Sequence, residues 1–331
     1  MTSSESIPIV VACAADGPYA MPLAVMLRSA IANLDPRYRL EVYAVDDGID
    51  QEDKQRIARA VADRAAIHWV PARPPAVTAL FTWGRMPATT YQKLTVGEWL
   101  PPTVHKAIWL DCDLLVLDDL ARLWHEPVTG NVVLAVQDER VPFVSSWFGI
   151  AAYRDEGLSR DTKYFNAGVI VIDLQRWRGE CVTARAAAYL ERVGERVFFW
   201  DQEALNAALA GSWGALEKRW NTNPSVAKLL GGRGDGVPVP DTPSIVHFTG
   251  NLKPWNYANP AEHYARYYQF IDQTAWAGRR PARTWRTIAI ARYEASSLRR
   301  WLFPLEQWAT WLVKRATQRP ASSSLMAPAS R

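Results

Sequence analysis

The stretch KAIWLDCDLLVLDDL, residues 106–120, is an apolar run interrupted by two carboxylates and a thiol. In an extended strand successive side chains alternate faces, so Asp111 and Asp113 share one face and Cys112 takes the other. At about 3.3 Å of rise per residue their Cα atoms lie about 6.6 Å apart, close enough for both carboxylates to converge on one divalent cation. Charge is tolerated at a buried strand end when it coordinates a cation. The same pair also suits an exposed strand end or a loop cap, because Asp-x-Asp alone is a short motif. His247, after the strand SIV, adds an imidazole, although a lone histidine there also reads as a structural residue. Two carboxylates and an imidazole favour Mn2+, with Mg2+ as the alternative, since Mg2+ and Ca2+ prefer oxygen donors.

The elements that must position these groups alternate in type. Strand signals occur at 7–15, 38–45 and 66–70, with helix-periodic segments at 21–34 and 51–64 between them. That order predicts an α/β fold, a mainly parallel sheet flanked by helices on both faces. A helix is expected at 89–100, a fourth strand across the Asp-Cys-Asp stretch, a fifth at 132–138 and another at 164–174. Residues 139–163 lack a period and read as a long functional loop or lid. Helices follow at 175–193, 201–210 and 260–276, with a short strand at 244 running into a Gly, Lys and Pro loop.

The chain has 331 residues, 49 % of them hydrophobic, which is ample for a packed core. Three cysteines at wide spacings, Cys13, Cys112 and Cys181, suggest neither a disulfide framework nor a zinc cage. The amino terminus has no basic n-region and its apolar run stops at Asp16, so it reads as a first strand rather than a secretory signal. No stretch approaches the roughly 20 apolar residues of a membrane-spanning helix. The net charge of +4 is unevenly divided: 11 of the 38 basic residues but only 2 of the 34 acidic ones lie from Trp276 onward. The body therefore carries −5 and the tail +9.

Within 284–318, Trp285, Ile288, Ala291, Ala295, Leu298, Trp301, Leu305, Trp308 and Leu312 recur at spacings of three or four among arginines and lysines. This predicts a basic, Trp-bearing amphipathic helix, kinked or split at Pro304. We divide the chain into a body at 1–275, this helical segment at 276–319 and a disordered tail at 320–331.

Five blocks in order, AAD (14–16), KAIWLDCDLLVLDDLARLW (106–124), YFNAGVIVIDLQRW (164–177), WDQEALN (200–206) and HFTGNLKPW (247–255), resemble glycosyltransferase family 8, over about residues 7–257. The family contains glycogenin and bacterial lipopolysaccharide galactosyl- and glucosyltransferases. The resemblance implies a GT-A fold, a UDP-hexose donor, and transfer with retention to a glycan or lipid-linked acceptor. By motif, Asp111, Asp113 and His247 would hold Mn2+ against the donor diphosphate, where a Lewis acid stabilises departing UDP. Lys253 would reach the same phosphates, and Gly250 would allow close backbone approach. Ala14 and Asp16 match the uridine corner, Asp16 being equally suited to forming the turn before Gly17 and Pro18. Those two residues replace a polar pair of many bacterial members.

Lys93 stands where the family commonly has an arginine touching donor sugar or phosphate, which keeps the charge and loses the fork. Asn166, Ala167 and Asp201 match positions lining the donor sugar, and Gln202 one near the anomeric carbon. Asp138 matches an acceptor-side position in some bacterial members. Retention admits a covalent glycosyl-enzyme or front-face attack, and an amide nucleophile is poor, which favours the front face.

The blocks imply a retaining hexosyltransferase at the cytoplasmic face of a membrane in lipopolysaccharide biosynthesis, peripheral through its basic tail on anionic lipid. The tail could instead pack on the acidic body or join copies. A catalytically silent sugar-nucleotide or glycan-binding protein is the alternative, and the intact Asp-Cys-Asp, HFTG and WDQ blocks argue against it. A nucleotidyltransferase lacks support because ADGPYAMP supplies no Gly-rich basic loop. The Trp-rich face suits lipid better than a nucleic-acid duplex.

Overall fold

A computed structural model describes residues 6–73, 88–150, 152–223, 240, 242–250, 253–257 and 262–317. The expected disordered end at 320–331 lies outside them. Strand β1 (Ile7–Asp16) is central, and Ile9, Val11, Ala12 and Cys13 are completely buried. A strand covered on both faces reads as a continuous apolar run, which is why its sequence lacks alternation. Its period-two geometry still divides the core: Val11 and Cys13 pack with helix α1 (Ala20–Asn33) on one face, Ala12 with Tyr91, Trp109 and Trp177 on the other.

From β1 the chain runs through α1 to β2 (Tyr38–Asp47), then α2 (Gln51–Val61) and the edge strand β3 (Ala65–Pro71). Asp50 caps α2 by accepting from the Asp53 N–H at 2.7 Å, and Glu52 and Asp53 in its first turn complement the helix dipole. Only Ile57 and Val61 of α2 are buried, the narrow stripe of a surface helix.

Among the described residues the main sheet has seven strands in the order β3-β2-β1-β4-β7-β6-β8, where β4 is Lys106–Leu110, β6 Val133–Gln137, β7 Phe165–Asp173 and β8 Trp213–Ala215. All run in one direction except β7, which is antiparallel to both β4 and β6. This reversal matters. It carries the start of β7 to the sheet edge where β1, β4 and β6 end, the edge at which open α/β sheets hold ligands.

The Asp-Cys-Asp stretch is not one strand. β4 stops at Leu110, residues 111–113 turn, and β5 (Leu114–Val116) leaves the main sheet to pair with β9 (Ile245–His247) in a separate two-stranded sheet. The turn exists because each of its side chains has a different partner. Asp111 meets Trp109 and Lys93, the Cys112 thiol donates to Ala14 O at 3.2 Å, and Asp113 meets His247 and Lys253.

The expected helix at 89–100 also resolves differently, into a 3-10 segment over Ala88–Thr95 followed by the short α3 (Val96–Trp99). The Gln92 carbonyl accepts from the Thr95 hydroxyl at 3.1 Å and the Trp99 indole at 3.0 Å, so side chains compete with an α-helical ladder. The described residues of 139–163 contain one isolated bridge, Phe143 to Lys163, and fold against the body through buried Val141, Val144, Phe148 and Ile150.

Helix α4 (Leu120–Trp124) precedes β6, and α5 (Leu174–Gly179), α6 (Val182–Val193) and α7 (Trp200–Ala208) follow β7. Helix α8 (Glu262–Ile271) covers the α1 face through Tyr264, Tyr267 and Ile271. The carboxyl-terminal segment forms α9 (Trp285–Ala295) and α10 (Ser297–Thr317). Its break falls at Ser296 rather than at Pro304, which sits within α10. Ser296 is extended, with ψ of 150°, and its hydroxyl accepts from the Arg299 N–H at 3.3 Å.

Candidate active site

Strand pairing brings the chemistry together. Leu114 lies opposite His247 in the small sheet, so the imidazole is delivered beside Asp113. One ligand atom from each of Asp111, Asp113 and His247 lies within 4.8 Å of the others. His247 Nε2 is 3.3 Å from an Asp113 oxygen and 4.0 Å from an Asp111 oxygen. The Lys253 ammonium bonds the second Asp113 oxygen and donates to Phe248 O at 2.6 Å. Burial alone would raise the Asp113 carboxyl, but Lys253 and His247 overcome it and hold the group ionised below the usual carboxylate range.

Lys93 is 3 % exposed and lies between two carboxylates, 2.8 Å from Asp201 and 3.1 Å from Asp111. Burial would lower its affinity for a proton; the two acids outweigh that and keep it charged. Asp111 also accepts from the Trp109 indole at 2.7 Å. Lys93 thus ties the strand-end aspartate to the first turn of α7.

The reversed β7 supplies the next layer. Asp111 N donates to Gly168 O at 2.9 Å, setting the start of β7 against the Asp-Cys-Asp turn. Asn166 Nδ2 donates to Asp138 at 2.9 Å, and Ala167 N donates to Gln202 Oε1 at 3.0 Å. Gln202 Nε2 donates to the same Asp138 oxygen at 3.2 Å. The other Asp138 oxygen accepts the Arg140 and Val141 N–H groups, each at 2.8 Å. Asp138 is 8 % exposed and engaged by four protein donors, a hub that fixes Asn166 and Gln202.

Ala14 and Asp16 end β1 on the same edge. Asp16 caps the 3-10 turn Gly17–Tyr19 by accepting from the Tyr19 N–H at 3.2 Å, and burial raises its carboxyl above the ordinary range. Gly250 is exposed with φ +78°, a left-handed conformation that favours glycine.

The sequence assigns no role to three residues at the site, although Gly168 and Asn206 lie within the quoted blocks 164–177 and 200–206. Asn221 Oδ1 lies 2.9 Å from His247 Nδ1 and its amide donates to Asn166 Oδ1 at 2.8 Å. A Cβ on Gly168 would fall 2.2 Å from His247 Cε1, so only glycine lets the imidazole lie against β7. Asn206 brackets Phe165, accepting from its N–H at 2.8 Å and donating to its C=O at 2.9 Å. Asn206 is one turn beyond Gln202 on α7, the spacing that could have revealed it. Asn221 lies in an aperiodic stretch, and its partners come from distant parts of the chain.

The family model for glycosyl transferase family 8 matches residues 10–259. The chain belongs to glycosyltransferase family 8. Among similar proteins, General stress protein A of Bacillus subtilis (strain 168) is 26 % identical over 286 residues, covering 82 % of this chain and 96 % of that one. Probable galacturonosyltransferase-like 3 of Arabidopsis thaliana is 31 % identical over 172 residues, 50 % of this chain and 49 % of that protein. The crystal structure of the galactosyltransferase LgtC in complex with donor and acceptor sugar analogs superposes with a TM-score of 0.69 at 24 % identity, covering 81 % of this chain and 96 % of the other. The glycosyltransferase GlyE of Streptococcus pneumoniae TIGR4 gives 0.59 at 20 % identity over 80 % of this chain and 60 % of that one. The fold of this family 8 chain is GT-A, and it is a glycosyltransferase.

Proposed function

We propose that this protein is a Mn2+-dependent retaining hexosyltransferase moving galactose or glucose from a UDP-sugar to a glycan or lipid-linked acceptor. The observation that carries the reading is the convergence of Asp111, Asp113 and His247, with the Lys253 ammonium beside them, at the carboxyl edge of a family 8 sheet. The donor set fits the ion: two carboxylates and a buried imidazole offer ligand atoms that lie within 4.8 Å of one another. A divalent cation there supplies charge neutralisation at the donor diphosphate.

The chain's own groups do the rest. Lys253 presents a point charge to the phosphates, and the left-handed turn at Gly250 admits them. Ala14 and Asp16 meet the uridine. Lys93 holds Asp111 and Asp201 in register, and Asp201, Asn166 and Ala167 line the sugar. Asp138 aims Gln202 at the anomeric carbon's acceptor side. The acceptor oxygen bonds that carbon on the face from which the phosphate oxygen departs, and the acceptor proton passes to the departing phosphate. UDP leaves as the glycosidic bond forms.

In the same reading α9 and α10 rest on the inner face of a membrane. Trp285 is 78 % exposed and Trp301 83 %, and Leu305, Trp308, Leu312 and Val313 are exposed alongside them. No helix among the described residues is long and apolar enough to cross a membrane. An interfacial position suits such a stripe among arginines.

A screen of UDP-hexoses for UDP release, with and without EDTA, tests the activity. Release from at least one donor, abolished by EDTA and restored by Mn2+, is expected. No release from any donor would instead indicate a silent sugar-nucleotide-binding protein. D113N and H247A should each lower turnover by more than about 100-fold with the fold retained, because each removes a direct ligand.

A further inference from the structure

We propose that Asn221 is a positioning residue that fixes the ring of His247, and that Asp138 sets its direction through Asn166. The inference rests on the cation reading of Asp111, Asp113 and His247.

The polarity of the network follows from groups whose roles admit no choice. Asp138 is a carboxylate with two backbone donors on one oxygen, so its other oxygen can only accept. Asn166 must therefore turn its NH2 toward Asp138 and its oxygen the other way. That oxygen accepts from the Gly168 N–H at 3.0 Å, which independently requires the same orientation. Asn221 faces the same oxygen at 2.8 Å and must donate, so its own oxygen is the atom beside His247. An amide oxygen only accepts, and Nδ1 of His247, 2.9 Å away, therefore carries a proton. The consequence is that Nε2 is the ring atom left to face Asp111 and Asp113.

Burial makes this bond count. Asn221 is 7 % exposed and His247 5 %, so water does not replace the amide if it is removed. Gly168 leaves room for the same edge of the ring, since a Cβ there would fall 2.2 Å from Cε1 and 2.7 Å from Nδ1. The same Asp138 oxygen also receives Gln202, so one carboxylate orients both the imidazole and the amide proposed to face the anomeric carbon. A ligating histidine whose second nitrogen is held this way binds metal more tightly, by roughly 10- to 100-fold.

The test uses the full chain as N221L, N221A and H247A, each checked for a wild-type melting transition. Mn2+ affinity is read from the electron paramagnetic resonance of free Mn2+, without any sugar donor. The Nδ1–H proton is read from low-field 1H–15N spectra of metal-free protein and assigned among the five histidines by its loss in H247A. The expected result is a protected Nδ1–H signal in the wild type that disappears in N221L and N221A, with Mn2+ affinity falling roughly 10- to 100-fold. Unchanged affinity in both Asn221 variants while H247A has lost binding overturns the positioning role alone. Unchanged affinity in H247A overturns the cation reading beneath it. A wild-type protein without the protected proton overturns the orientation derived above.

Discussion

At the scale of single residues, the site is a set of charges each of which is tolerated only because of its neighbours. Lys93 shows this most directly, since its ammonium is buried between Asp111 and Asp201 and lies 5.4 Å from the centroid of the Trp109 ring. K93M would leave two carboxylates facing each other without a cation, and breaking such a buried pair costs about 3–5 kcal/mol. Urea denaturation of K93M should show a loss of that size. The double variant K93M/D201N should recover much of it, because the uncompensated charge is removed rather than the packing. Equal stability of the single and double variants would show that the cost lies in the lysine's packing instead.

At the scale of elements, the reversed strand and the small sheet assemble the site. β7 runs against its neighbours and puts Asn166, Ala167 and Gly168 at the edge where β4 ends. β9 runs against β5 and puts His247 beside Asp113. The two meet at Gly168, where a methyl group would lie 2.2 Å from the imidazole. G168A should therefore push β9 and its histidine away, at a cost of about 1–3 kcal/mol for overpacking. Mn2+ affinity should fall with it, measured as for the Asn221 variants. A stable G168A with wild-type affinity would mean that β9 adjusts without moving Nε2.

Helix α10 reaches this region from the outside. Arg140 donates to Gln307 at 2.9 Å and stacks on Phe148 and Phe199, with its guanidinium 4.9 Å and 5.7 Å from their ring centroids. The terminal helix is thereby joined to the loop that begins at Asp138 and to the start of α7. R140A should lower thermal stability and loosen this helix, readable as faster amide exchange in α10 than in the sheet.

At the scale of the whole molecule, charge and apolar exposure are both concentrated in the tail. Helix α10 docks through Phe303 and Trp311 and leaves Leu298, Trp301, Leu305, Trp308 and Leu312 on its open side. Each such side chain contributes roughly 1.5–3 kcal/mol when removed from water. In the proposed membrane reading, the tail's +9 would attract anionic lipid at about 1 kcal/mol per basic residue near the surface. W301E/L305E should abolish sedimentation with phosphatidylserine-containing vesicles while leaving UDP release from soluble donor and acceptor intact. Binding of the unaltered protein should weaken as salt rises, since the charge contribution is screened within a Debye length. Undiminished sedimentation of the double variant would remove the stripe from the membrane contact.

The alternation of strands and helices, the carboxylate pair, the distant histidine and the basic Trp-bearing tail were all legible in the chain, because each is written in a local pattern of residue types. Periodicity reports which face of an element is buried, and a short motif reports which chemistry is gathered there. Tertiary structure alone decided the turn at 111–113, the reversal of β7, the separate β5–β9 sheet and the place of Asn221. Each of these depends on a partner contributed by another part of the sequence, Gly168 for Asp111, His247 for Leu114 and Asn166 for Asn221. A contact of that kind leaves no period in either segment, since its energy resides in a pairing that exists only after the chain has folded.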